Sequence, residues 1–129
     1  MSGRVILQHR IFRADLKANP IVLYVFGDNE RRVGLGGQAY EMRGEPNAVG
    51  VATLAAPGVF WSDADAPRQC TVINADMGPL FVALAAGRAI VFPLDGIGTG
   101  LADLANRSPK TFAHLQARVA DLRSAANES

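Results

Sequence analysis

Two stretches of this chain offer water no polar face. The first is Ile21, Val22, Leu23, Tyr24, Val25 and Phe26; the second is Ala89, Ile90, Val91, Phe92, Pro93 and Leu94. A strand with one wet face alternates apolar and polar residues, whereas an unbroken β-branched and aromatic run suits a strand covered on both sides, as in a parallel sheet flanked by helices. The chain is therefore read as α/β. Both runs end in an acidic residue beside glycine: Gly27, Asp28 and Asn29 after the first, Asp95 and Gly96 after the second. In open α/β sheets, ligands sit beyond the carboxyl ends of the strands, so two such ends can face one pocket.

The remaining elements are placed around these runs. Val5 and Leu7 alternate with Arg4 and Gln8, which predicts a first strand over residues 5–12. A polar connection fills 13–20. Val49 to Thr53 reads as another short strand, followed by a loop over 54–67 in which Pro57 and Gly58 mark a turn. Val72, Ile73, Met77, Leu80, Phe81 and Leu84 recur at helical spacing across 71–86, and Gly78 with Pro79 predicts a kink or a break there. Gly87 stops that helix. Ser108 caps a last helix with Pro109 in its first position and Phe112, Leu115, Val119 and Leu122 on its buried stripe, fraying from Ser124.

A chain of 129 residues with 49% hydrophobic and 19% charged residues has the length and composition of one folded domain, taken here as 1–129. Thirteen Lys and Arg against twelve Asp and Glu leave a net charge of +1, too little to concentrate nucleic acid. One cysteine, Cys70, allows no internal disulfide and fits a reducing compartment. No apolar stretch has the length of a signal peptide core or a membrane span, so the cytoplasm is the expected location. No His and Cys cluster has metal-ligand spacing, no Ser lies in a nucleophile elbow, and His9 and His114 lie far from both loops in sequence. No metal and no cofactor are expected.

The chemistry then falls to the loops. Gly96, Ile97, Gly98, Thr99 and Gly100 place glycine at alternate positions, so that an anion can approach the backbone N–H groups; Thr99 adds a hydroxyl and Ile97 an apolar face. A plain tight turn would show the same pattern. No Gly-Lys-Ser/Thr follows, and the spacing departs from the dinucleotide fingerprint. Earlier, Gly34, Leu35, Gly36, Gly37, Gln38 and Ala39 run into a short helix over 38–42, whose first amides would favour negative charge. Arg31, Arg32 and Arg43 flank this loop as guanidinium forks for phosphate, or as partners of Glu30, Glu41 and Glu45. Asp28 and Asn29 offer polar groups for a ribose hydroxyl, an adenine amine or a water, or else serve as turn formers. Asn47 is either a turn former or a second polar ligand group, with structure favoured, and Phe60 and Trp61 are either a stacking flap or core anchors.

In their order, Val25 to Asn29, Gly34 to Ala39 and Gly96 to Leu101 resemble a divergent, compact macrodomain of the kind found in phages and bacteria. The likeness covers residues 21–53 and 88–105. It implies a three-layer sandwich with a mixed, mostly parallel central sheet flanked by helices, and a pocket for ADP-ribose or a related nucleotide diphosphate. Gly36, Gly37 and Gln38 match one diphosphate loop, with Gly27, Gly34, Arg32 and Arg43 about it. Gly98, Thr99 and Gly100, within the segment Gly96 to Leu101, match the other, and Asn29 matches the asparagine near the distal ribose. Asp28 does not stand where the adenine-binding aspartate of the family usually lies. Two activities follow from the resemblance: hydrolysis of an ADP-ribosyl linkage, with Asn29 orienting the ribose and Asp28 or Asp95 positioning a water, or reading and sequestering of the nucleotide without turnover. The partner is a free nucleotide or an ADP-ribosylated macromolecule.

Overall fold

The computed structural model describes residues 3–127. Four strands form one sheet in the order β1-β4-β2-β3: β1 is Val5–Gln8, β2 Leu23–Asn29, β3 Ala48–Leu54 and β4 Ile90–Pro93. Every pairing is parallel, so the sheet is not mixed. The helices are α1 (Arg13–Ala18), α2 (Ala39–Met42), α3 (Ala66–Ala85), α4 (Leu104–Arg107) and α5 (Pro109–Asn127). Among the described residues no helix is long and apolar enough to cross a membrane.

The two apolar runs occupy the middle of the sheet, and their alternating side chains feed two cores. Leu23 and Val25 of β2, with Ile90 and Phe92 of β4, pack against Ile73, Met77, Leu80 and Leu84 of α3 and Leu115 and Leu122 of α5. The intervening Tyr24, Phe26 and Val91 point the other way, onto Leu16 of α1 and Ala39 and Met42 of α2. Between Leu23 and Phe26, and between Ile90 and Phe92, a polar residue would meet one apolar layer or the other, whereas Ile21 and Leu94 at the ends of the runs are exposed.

The elements differ from the sequence reading at several points: the connection 13–20 holds α1, and α3 begins at Ala66, inside the expected loop 54–67. The first strand stops at Gln8 because the Asp15 carboxylate accepts the Phe12 amide at 2.8 Å and starts α1. Ile11 remains buried, but in the second core rather than on a strand. α3 runs unbroken through Pro79. Pro79 is exposed, so water can take the carbonyl its ring leaves unbonded, while Met77 and Leu80 on either side are held at 0% exposure. Gly78 has no Cβ to meet the proline ring. α5 continues to Asn127, with Ala125 and Ala126 against the first core.

Sheet edges are tied down by side chains. β3 lies at one edge, and its Ala52 amide donates to Asp76 Oδ2 of α3 at 2.9 Å. Asn47, 3% exposed, donates through Nδ2 to the carbonyls of Leu16, Asn19 and Val22, fixing the connection before β2 to the start of β3.

Candidate functional site

β2 and β4 are neighbours in the sheet, but the chain leaves them in opposite directions. Beyond β2 it passes to α2 in the second core; beyond β4 it passes to α5 in the first. Diverging connections from adjacent parallel strands leave a crevice at their carboxyl ends. A cleft of about 550 Å3 lies there, within the range of small-molecule sites.

One wall is the segment 96–102. Gly96 and Gly98 adopt φ of 83° and 75°, and the Gly98 carbonyl accepts the Leu104 amide at 3.0 Å, which anchors the loop to α4. Gly98, Thr99 and Gly100 line the cleft, and their own N–H groups donate to no acceptor among the described residues. This wall lies close on its support at Gly98, where a Cβ would stand 3.1 Å from Thr53 Cγ2 and 3.3 Å from Leu104 Cδ2.

The opposite wall is the segment 33–39. Gly34, Leu35, Gly36, Gly37 and Gln38 all line the cleft, and none of their amides donates to an acceptor among the described residues. Arg43 holds this wall in place: its Nε donates to the Gly34 carbonyl at 2.8 Å and its Nη2 to the Val33 carbonyl at 3.2 Å. The following helix α2 is a single turn, Ala39–Met42, too short to add a field of its own.

Asp28 sits at the base, 5% exposed. Its carboxylate is forked by Arg43, at 2.5 Å to Oδ1 and 3.3 Å to Oδ2, and Oδ1 also accepts the Asn29 amide at 2.8 Å. Arg32 approaches Oδ2 at 3.8 Å. The Asn29 side chain spans its own turn, donating to the Val33 carbonyl at 2.8 Å and accepting the Arg31 amide at 3.1 Å.

Most of the residues expected at the site are thus brought together: Gly27, Asp28, Asn29, Arg43, the 34–38 segment and the 96–101 segment share one cleft. Two are not. Arg32 lies outside the lining, and its Nη2 donates to both carboxylate oxygens of Asp76, at 2.7 and 2.9 Å. Asp95 faces a second depression, of about 580 Å3, shared with Leu7 of β1 and Gln116 and Arg123 of α5. Trp61 is a core anchor, 3% exposed, with Nε1 donating to Glu30 at 2.9 Å. Phe60, next to it, does line the cleft, and the Arg107 guanidinium lies 3.6 Å from its ring centroid.

Thr53 and Val33 also line the cleft and were not foreseen. Thr53 is the second-last residue of β3, beside β2, so its position follows once parallel pairing is known; Val33 carries no signal of its own. Among the described residues no group of three or more His, Cys, Asp or Glu gathers as a metal site. Of the residues lining the cleft, only Asp28 and Arg43 carry charge, and they pair with each other.

Fold and site define a parallel α/β domain with a glycine-walled cleft at its topological switch point. The chain belongs to the family of unknown function DUF7831, whose model matches residues 6–118. No curated protein and no solved structure matches it.

Proposed function

We propose that the cleft binds a nucleotide diphosphate of the ADP-ribose type, in a compact, macrodomain-like three-layer arrangement, and holds it without turnover. The observation that carries this reading is the pair of glycine-rich walls whose free N–H groups flank one cleft: Gly98 to Gly100 on one side and Gly34 to Gln38 on the other. Uncommitted backbone amides without Cβ atoms in the way suit a diphosphate, whose oxygens accept hydrogen bonds at close range.

Binding is favoured over hydrolysis by the state of the carboxylates. A general base needs an oxygen free to take a proton from water within hydrogen-bond reach of the bond being broken. Asp28 has both oxygens engaged by Arg43, and Asp95 lies outside the cleft lining. Asn29 is committed to its own turn.

Titration calorimetry tests the reading. ADP-ribose is expected to give saturable heat and adenosine none, with no release of product when the ADP-ribose conjugate of a peptide is incubated with the protein. Absence of heat with ADP-ribose overturns the binding reading; steady turnover of the conjugate overturns its passive character.

A further inference from the structure

We infer that the cleft takes nucleoside diphosphates irrespective of their base, stacking the base on Phe60 and leaving its hydrogen-bonding edge unrecognised. This rests on the nucleotide reading of the cleft and narrows it to a ligand class.

A site tells one base from another by aiming side-chain donors and acceptors at the base edge, and such buried polar readout can discriminate by several powers of ten. The polar side chains lining this cleft are already spoken for. Asp28 and Arg43 bind each other, and Arg43 also holds the carbonyls of Val33 and Gly34. Both ends of the Asn29 amide are used within its turn. Thr53 Oγ1 donates to the Asp28 carbonyl at 3.3 Å, and Thr99 Oγ1 to the Asp95 carbonyl at 3.1 Å. Gln38 is the exception, with a buried Oε1 that has no partner among the described residues. A carboxamide carries a donor and an acceptor side by side, so by turning about its last bond it can meet either an amino edge or a keto edge.

What the cleft offers a base is apolar surface. Phe60 is 38% exposed and lines the cleft; Arg107, which does not line it, covers the ring from 3.6 Å and fixes it by cation–π attraction. Leu35 and Leu101, both exposed, stand on the two walls. Stacking on an aromatic ring is tolerant of sequence because every base has a π-face. The phosphates are left to the backbone amides, which read no base at all.

The test compares ADP, GDP, CDP, UDP and inorganic pyrophosphate with ADP-ribose by calorimetry on the full chain, in the wild type and in Phe60→Leu. Dissociation constants for the four nucleotides are expected within about fivefold of one another. Phe60→Leu should weaken all four by roughly tenfold, in line with the energy of one base–aromatic stack, and leave pyrophosphate unchanged. Phe60 lies at the protein surface, so the variant's unaltered circular dichroism and melting temperature separate loss of stacking from loss of fold. One base preferred by more than about thirtyfold, or a Phe60→Leu variant that binds all four as tightly as the wild type, overturns the inference. Binding of ADP-ribose without any of the four nucleotides overturns it too, yet leaves the proposed function standing. No binding by ADP-ribose or any of the others removes both.

Discussion

The carboxylate of Asp28 lies directly over Gly50: a Cβ built on Gly50 would stand 2.5 Å from Asp28 Oδ2 and 2.9 Å from Asp28 Cβ. In the β2–β3 ladder Gly50 pairs with Phe26 and Asp28 with Ala52, so the carboxylate leans back along the neighbouring strand into the space glycine leaves open. That lean is where Arg43 finds both oxygens.

Gly50→Ala therefore forces either Asp28 or β3 to move. The cost expected for such overpacking is about 1–3 kcal/mol. Urea denaturation measures it directly; an unchanged midpoint would mean that Asp28 has room to withdraw.

Removing Arg43 should cost more than removing most surface arginines. Arg43→Ala leaves a carboxylate with 4% side-chain exposure without its strongest partner. A stranded buried charge typically costs about 3–5 kcal/mol; since Arg43 itself keeps 21% exposure, the lower end is expected. Asp28→Asn in the same background should recover part of the loss in a double-mutant cycle. Additive losses would show that the two side chains do not act as a pair.

Glycines of one loop should separate by role. At Gly98 a methyl group meets Thr53 and Leu104 at 3.1 and 3.3 Å with φ at 75°, so Gly98→Ala is expected to lower the melting temperature by several degrees, about 1–2 kcal/mol of destabilisation. At Gly100 nothing lies within 4 Å of the new methyl group. Gly100→Ala should melt with the wild type and, because Gly100 lines the cleft, weaken ADP-ribose binding severalfold. Equal melting points for the two variants would contradict the geometry.

How much of this was readable beforehand differs by residue, for a physical reason. The central strands and the two glycine walls could be found from Ile21 to Phe26, Ala89 to Leu94 and the clustered glycines, because burial on both faces and φ above zero act on residue type locally. Asn47 leaned towards a structural role and has one, but as a tie to three carbonyls ahead of β2, which no local pattern announces. The Arg43–Asp28 pair was not legible: it joins residues fifteen positions apart, and only the path of the 33–39 segment decides which acid an arginine meets. Asp95 resembled Asp28 in sequence, each ending a buried strand, but the turn after β4 presents it to the far side of the loop. Pro79 allowed either a kink or a break, and the chain takes no break there because Pro79 lies off the stripe of Ile73, Met77, Leu80 and Leu84 and faces water.

Acid should loosen the segment after β2. Arg68, hydrogen-bonded to Glu30, holds the Glu30 carboxyl below the usual carboxylate range, with Trp61 acting in the same sense against the opposing effect of burial. A depressed folded-state pKa gives stability that is complete above the ordinary glutamate value of about 4.3 and is lost as pH falls through the folded value. The stability difference between wild type and Glu30→Gln, measured in urea, should thus be largest above about pH 5 and shrink towards pH 3. A difference that stays constant with pH would refute the assignment.

Parallel sheets invite extra strands along any edge whose amides are unclaimed. At the β3 edge the Ala52 donor is already occupied by Asp76, which Arg32 in turn grips. A strand from another molecule arriving there would have to displace a charged side chain held from two sides. Two residues far apart in the sequence thus act as a stopper against runaway sheet growth, and Asp76→Ala is the change that would uncork it.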